Sequence, residues 1–304
     1  MHVSDKGVLI VIAGPTGSGK TDLAIKLAQK LSTVIISADS RQVYRELKTG
    51  TAAPTEEQQS KVPHFFTGHK SIHDHYNAGI FENEALTLLK ELFPQYGKII
   101  MAGGSGLYID AVCSGIDDLP AADTLLRKEL ERNYSEQGIS YLRNKLKLLD
   151  PEHYRVVDLR NPKRMLKAIE VSLITGKSYS SLLTGRNKKR DFRIIKAGIS
   201  LNREELYERI NRRVDRMIED GLVEEVQRYY EFRNLNALNT VGYKELFSYI
   251  DGEISLEKAI ELIKRNTRHY ARRQLTWFRR DKDIKWFSPD EPDEIISYIV
   301  KKAD

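Results

Sequence analysis

Gly14-Pro15-Thr16-Gly17-Ser18-Gly19-Lys20-Thr21 matches the G-x-x-x-x-G-K-[ST] phosphate loop in full, and its flanks fit the motif too. Before it, Val8 to Ala13 (VLIVIA) is an apolar run of strand length. After it, Asp22 to Leu31 (DLAIKLAQKL) spaces its apolar residues as a helix does. A strand, a glycine turn and a helix N-terminus bring backbone N–H groups and the positive end of the helix dipole onto anionic oxygens. Lys20 adds a point charge, and the Thr21 hydroxyl is placed to hold Mg²⁺. The loop is therefore expected to bind a phosphate chain. Whose phosphate chain it is must come from the rest of the sequence.

At 304 residues the chain has room for one large α/β domain with an embellishment, or for two domains. Its 49 Lys+Arg outnumber its 43 Asp+Glu, a net charge of +6 that is only weak evidence for a polyanionic partner. One cysteine, Cys113, leaves neither a disulfide framework nor a cysteine zinc site within the chain. No apolar run approaches the roughly 20 residues of a membrane span. The N-terminus has no secretory pattern, and a soluble cytoplasmic protein is expected.

Val34–Ser37 and Lys98–Ala102 read as further strands, with a helical pattern around Phe81 to Phe93 between them. Strands alternating with helices imply a mostly parallel sheet. From about Leu119 to Arg190 there is helical periodicity and charge but no convincing strand. Strands return at Phe192–Leu201 and Ile284–Phe287. The expected organisation is an α/β core in two parts, 1–119 and 191–304, interrupted by an all-helical insertion over 120–190.

The strand at Val34 runs straight into Asp39, Ser40, Arg41 and Gln42. Ligands of such sheets bind beyond the carboxyl ends of the strands, so these residues should share a rim with the phosphate loop. Asp39 reads equally well as a Mg²⁺ ligand, a base or a cap of the following turn. The third strand ends in Gly103-Gly104-Ser105, not in the acidic Mg²⁺ ligand of an NTP hydrolase, which weighs against ATP hydrolysis. Lys264 to Arg280 (KRNTRHYARRQLTWFRR) interleaves arginines with Tyr270 and Trp277 and carries no acid. That pattern suits an RNA backbone with unstacked bases, although solvated charge around a packed helix explains it as well. Arg209, Arg213 and Arg216 share another helix, from which one or two can point to the phosphate site. His64, His69, His73 and His75 match no helical zinc spacing.

Taken in order, GPTGSGKT, ISADSRQVYREL, TGTAAPT, GGSGLY, NPKRMLKAIEV, RVDRMIEDGLVEEV, TVGYKE and RRQLTWFR resemble the tRNA dimethylallyltransferases over nearly the whole chain. The resemblance implies a P-loop NTPase-like α/β fold with a mostly parallel sheet flanked by helices and an all-helical insertion domain. It implies that dimethylallyl diphosphate, not ATP, occupies the loop, and that the acceptor is the adenosine 3′ of the anticodon. Asp39 would then take the amine hydrogen. Thr16, Lys20 and Arg213, or Arg209 in its place, would hold the diphosphate, with Mg²⁺ on Thr21 and possibly on Asp39. Contacts to tRNA are expected from Asp39, Ser40, Arg41, Gln42, Ser105 and Arg127. They are also expected from Lys163-Arg164-Met165-Leu166-Lys167, from Asn239-Thr240-Val241-Gly242-Tyr243-Lys244, and from Arg272-Arg273-Gln274-Leu275-Thr276-Trp277-Phe278-Arg279. The target adenine must leave its stack. A monomer acting on a tRNA anticodon stem-loop, away from membranes, is expected.

The sequence departs from the family pattern in places. Ser105 stands where threonine is common and Lys167 where arginine is frequent, and Phe65 to Asn77 is unlike the usual family sequence. Prenylation of free adenine nucleotide and a P-loop small-molecule kinase stay open as alternatives, as does a non-catalytic RNA-binding switch.

Overall fold

The computed structural model describes residues 7–185 and 187–304. The N-terminal residues 1–6, part of the stretch in which no secretory signal is expected, lie outside the described residues. By internal contacts the chain divides into two compact units. One runs up to Ser114 and resumes over Lys189–Asp304; the other is Gly115–Lys188.

The first unit opens with β1 (Val8–Ala13), α1 (Lys20–Leu31), β2 (Ile35–Ser37), α2 (Glu56–Lys61), β3 (His64–Phe65), α3 (Ala78–Tyr96), β4 (Lys98–Gly103) and α4 (Gly106–Ser114). The second unit consists of α5 (Thr124–Gln137), α6 (Ile139–Leu149), α7 (Pro151–Val156), α8 (Pro162–Thr175) and α9 (Tyr179–Leu182). The first unit then resumes with β5 (Arg193–Ile199), α10 (Arg203–Glu219), α11 (Leu222–Arg228), α12 (Tyr243–Ile250), α13 (Leu256–Phe278), β6 (Lys285–Phe287) and α14 (Pro292–Ala303).

The six strands form one sheet in the order β3-β2-β4-β1-β5-β6, and every pairing is parallel. β1 is buried along its whole length, which explains its unbroken apolar sequence: helices cover both faces of such a sheet. Val8 stands opposite Lys98 on one side and Arg193 on the other, so β1 and β4 end together at Ala13 and Gly103, opposite Gly198, the next-to-last residue of β5. That common edge carries the phosphate loop. One core cluster joins Ile10 and Ile12 of β1, Leu23 and Leu27 of α1, and Ile295 and Ile299 of α14.

The second unit has its own core, in which Leu130, Leu142, Leu146, Met165 and Ile169 are nearly or fully buried. Asp150 caps α7 by accepting the His153 N–H at 2.8 Å, and it also accepts the N–H and hydroxyl of Ser180. No strand occurs in this unit among the described residues.

Candidate functional site

The phosphate loop joins β1 to α1, and its two positive-φ glycines, Gly17 (φ 81°) and Gly19 (φ 84°), make the turn. α1 starts at Lys20, whose Nζ lies 3.2 Å from the Pro15 carbonyl oxygen. The Ser18 hydroxyl is buried in the loop without a hydrogen-bond partner among the described residues. Lys20, Thr16 and Thr21 line a cavity of about 510 Å³ together with Asp39, Arg213, Thr240, Tyr270 and Arg273. On the other side of Lys20 and Arg213 a wider groove of about 1090 Å³ carries Arg209, Arg212 and Arg216.

Asp39 follows β2 and does two things at once. Its Oδ1 accepts the Arg41 N–H at 2.9 Å and the Gln42 N–H at 3.4 Å, capping the turn, while Oδ2 takes no hydrogen bond among the described residues. The capping reading and the pocket reading of this carboxylate are therefore compatible. Burial lowers the Lys20 ammonium to about 8; Arg213 pushes in the same direction, and Asp39 opposes both. Burial likewise draws the Arg213 guanidinium down, again against Asp39. Lys20, Asp39 and Arg213 thus feel one another, as two cations and one carboxylate around one cavity. Arg209 pairs with Glu205 at 2.6 Å and lines the outer groove, which also takes in Gly17, Gly19 and Lys20 of the phosphate loop, but it does not line the inner cavity.

Gln274 of α13 is buried, its Oε1 accepting the Thr16 N–H at 2.9 Å and its Nε2 donating to the Gly104 carbonyl at 2.8 Å. A Cβ on Gly104 would lie 2.3 Å from that Nε2, so only glycine leaves room for the bridge. The Ser105 hydroxyl accepts the Ser40 N–H at 2.9 Å, which ties the end of β4 to the residue after Asp39. Tyr270 lies beside Asp39 and Ser105; burial and the Asp39 charge push its hydroxyl up to about 12, so it remains a donor at neutral pH.

Several residues expected to touch RNA have other work in the structure. Arg41 donates to the carbonyls of Asn236 at 2.8 Å and Ala237 at 3.1 Å, so it holds the segment that leads to Asn239. The Gln42 amide accepts the Ser37 hydroxyl and donates to the carbonyls of Thr51 and Ala52. Met165, Leu166, Tyr243 and Phe278 have buried side chains, and Leu275 packs partly against a cluster of Leu206, Ile210 and Ala271. These side chains pack inside the protein. Trp277 is half-buried: its Nε1 donates to Asp110 at 2.8 Å, tying α13 to α4, and the Arg280 guanidinium lies over its ring. Arg272, Arg273 and Thr276 are exposed on the same helix and Arg279 just past its end, as are Lys163, Arg164 and Lys244 on their helices. In the second unit Arg127 is ion-paired with Glu170, a fully buried carboxylate that needs a cation beside it.

The histidines are dispersed. His64 bonds the Val62 carbonyl through Nδ1, His69 packs on Phe66 and Tyr76 near Glu84, and His73 meets the ring of Phe232. No group of three or more His, Cys, Asp or Glu suited to a metal occurs among the described residues.

Glu225, Glu245 and Asn266 went unnoticed in the sequence. Glu245 accepts the Gly242 N–H at 2.8 Å and the Asn266 amide at 2.7 Å, shaping the cavity wall at Gly242. Glu225 carries a larger set of bonds, described below. Its signal was there to read: it falls in step with the apolar, buried Leu222 and Val226, a position where a carboxylate needs partners.

A family model described as IPP transferase matches residues 42–281. A protein of Phocaeicola vulgatus named tRNA dimethylallyltransferase 1 is 54% identical over 291 residues, covering 96% of this chain and 97% of its own. The crystal structure of a full-length tRNA isopentenylpyrophosphate transferase from Bacillus halodurans superposes with a TM-score of 0.71 at 35% identity, over 97% of this chain and 96% of that one. A eukaryotic dimethylallyltransferase, solved acting on tRNA, gives a TM-score of 0.77 at 26% identity, over 93% of this chain and 74% of that one.

Proposed function

The chain belongs to the IPP transferase family, and from that premise we propose that it transfers the dimethylallyl group of dimethylallyl diphosphate to N6 of the adenosine 3′ of the anticodon in tRNA. It is an enzyme, a tRNA dimethylallyltransferase. The observation that carries this reading is the single cavity in which the phosphate loop, Asp39 and Arg213 meet Thr240 and the Tyr270–Arg273 turn of α13. A kinase of small metabolites has no need of an exposed arginine face beside its phosphate loop, and free adenine nucleotide has none either.

The chemistry asks two things of the protein. The adenine amine is a weak nucleophile, because its lone pair is delocalised into the ring. The allylic C–O bond must therefore stretch early, with charge building on the diphosphate. Lys20, Arg213 and the loop amides stand where that charge develops. As N6 bonds to the allylic carbon and diphosphate leaves, the nitrogen loses one proton. Asp39, whose Oδ2 is unoccupied by internal hydrogen bonds, accepts it.

Mg²⁺ fits the donor set. Thr21 lines the cavity and brings a hard hydroxyl oxygen, and a Mg²⁺ site built on one protein group plus substrate phosphates and water needs no larger cage, which leaves Asp39 free as the base. The ion would neutralise charge on the diphosphate. No helix among the described residues is long and apolar enough to cross a membrane; action in the cytoplasm, as a monomer on the tRNA anticodon stem-loop, completes the proposal.

An acceptor competition tests the reading. With dimethylallyl diphosphate limiting, tRNA should take nearly all of the label against an equal concentration of AMP. Preferential labelling of AMP, or ADP formation when ATP is the only phosphate donor, would replace it.

A further inference from the structure

Glu225 lies on α11, in step with the buried apolar Leu222 and Val226, and is itself 9% exposed. Its carboxylate gathers four donors. Oε2 accepts the N–H groups of Lys48 at 3.0 Å and Thr49 at 2.8 Å, and Oε1 accepts the Gly50 N–H and the Tyr243 hydroxyl at 2.8 and 2.6 Å. Three successive amides converging on one anion form a nest, here filled from within the chain. The turn so held carries the Thr51 carbonyl, which accepts from Arg213 at 3.3 Å and from the Gln42 amide at 3.3 Å. Gly50 and Thr51 also line the cavity with Lys20 and Asp39.

We infer that Glu225 is a positioning residue: by fixing the turn at Lys48–Thr51 it holds the Arg213 guanidinium where it meets the leaving diphosphate. Because Tyr243 shares the carboxylate, the same residue ties the Asn239–Lys244 segment to that turn. The inference rests on the transferase reading for the chemistry it serves, but the arrangement of bonds is independent of it. A carboxylate suits this nest better than an amide does. In Glu225→Gln one terminal atom becomes a donor, and it would face N–H groups or the Tyr243 hydroxyl hydrogen.

The test is a double-mutant cycle of Glu225→Gln with Arg213→Ala, read as kcat and KM for dimethylallyl diphosphate at saturating tRNA, with the KM for tRNA measured at saturating dimethylallyl diphosphate. Glu225→Gln alone is expected to lower kcat/KM about tenfold with the KM for tRNA unchanged, and to have little further effect in the Arg213→Ala background. Losses that simply multiply in the double variant, or unchanged kinetics in a folded Glu225→Gln, would overturn the inference. If Glu225→Gln does not fold, Tyr243→Phe removes one bond to the same carboxylate and enters the cycle in its place. Calorimetric binding of inorganic diphosphate with Mg²⁺ gives the cycle without any chemistry. A failed transfer reaction and a failed positioning role are therefore read separately.

Discussion

Gln274 accepts the Thr16 N–H at 2.9 Å, so the helix that carries the exposed arginines Arg272 and Arg273 is bonded directly to the phosphate loop. The other end of the same amide reaches Gly104 at the tip of β4. One side chain therefore sets the spacing between loop, strand end and basic helix. Gln274→Ala should leave the Thr16 N–H and the Gly104 carbonyl without these partners, at a stability cost of about 1–3 kcal/mol. It should also raise the KM for dimethylallyl diphosphate more than that for tRNA. Thermal unfolding and two-substrate kinetics check both, and an effect confined to tRNA would mean that Gln274 acts at the RNA.

Asp39 caps with one oxygen and keeps the other for the cavity. Asn keeps an acceptor for the Arg41 N–H but is no base at neutral pH. Asp39→Asn should therefore melt close to the wild type while kcat falls by about 10²–10⁴. Rates near wild type would assign the proton to another group.

Lys20 should impose a pH limit. It carries its charge below about 8 in the free protein and loses it as pH rises through that value. A charged Lys20 favours the diphosphate, so kcat/KM for dimethylallyl diphosphate should be highest below about 8 and decline above it. Bound diphosphate favours the charged lysine, so the kcat profile should break at higher pH. A kcat/KM that rises through the same interval would contradict this placement.

The two candidate arginines are placed differently, Arg213 lining both the inner cavity and the outer groove and Arg209 the outer groove alone. Arg213 feels the charge of Asp39 and lines the cavity, whereas Arg209 is paired with Glu205 along its own helix. Arg213→Ala should lower kcat/KM about 100-fold, and Arg209→Ala no more than about threefold.

On α13, neighbouring residues should fail in different ways. Arg272→Ala should weaken tRNA binding and reduce the salt slope of log K by about 1, with little change in unfolding. Phe278→Ala, at a site 2% exposed, should cost about 3–5 kcal/mol of stability. Filter binding across a salt series and denaturant unfolding distinguish the two.

Much of this was legible before any coordinates, and the reasons are physical. β1 could be read because a central parallel strand is buried on both faces, which makes Val8–Ala13 apolar without a break. β3 could not, since His64–Phe65 is too short for any period to show. The strand-free insertion was visible from Leu119 onward, although the compact unit begins at Gly115 and closes at Lys188. Asp39 and the loop could be singled out in the sequence because their chemistry is local, and they line one cavity in the structure. The roles of Gln42, Arg41 and Gln274 could not be, because each is fixed by carbonyls or amides far away in the chain. Motif segments were read whole, yet along a helix only some side chains face outward. Tyr243 is buried while Lys244 is exposed, and Gln274 is buried next to the exposed Arg273.

The most direct test is the mass of an RNA. An anticodon stem-loop with adenosine 3′ of the anticodon, incubated with dimethylallyl diphosphate and Mg²⁺, should gain one dimethylallyl group on that adenosine with the wild type and essentially none with Asp39→Asn. An unchanged mass across several adenosine-containing loops, with diphosphate bound but never released, would contradict the transfer reaction itself.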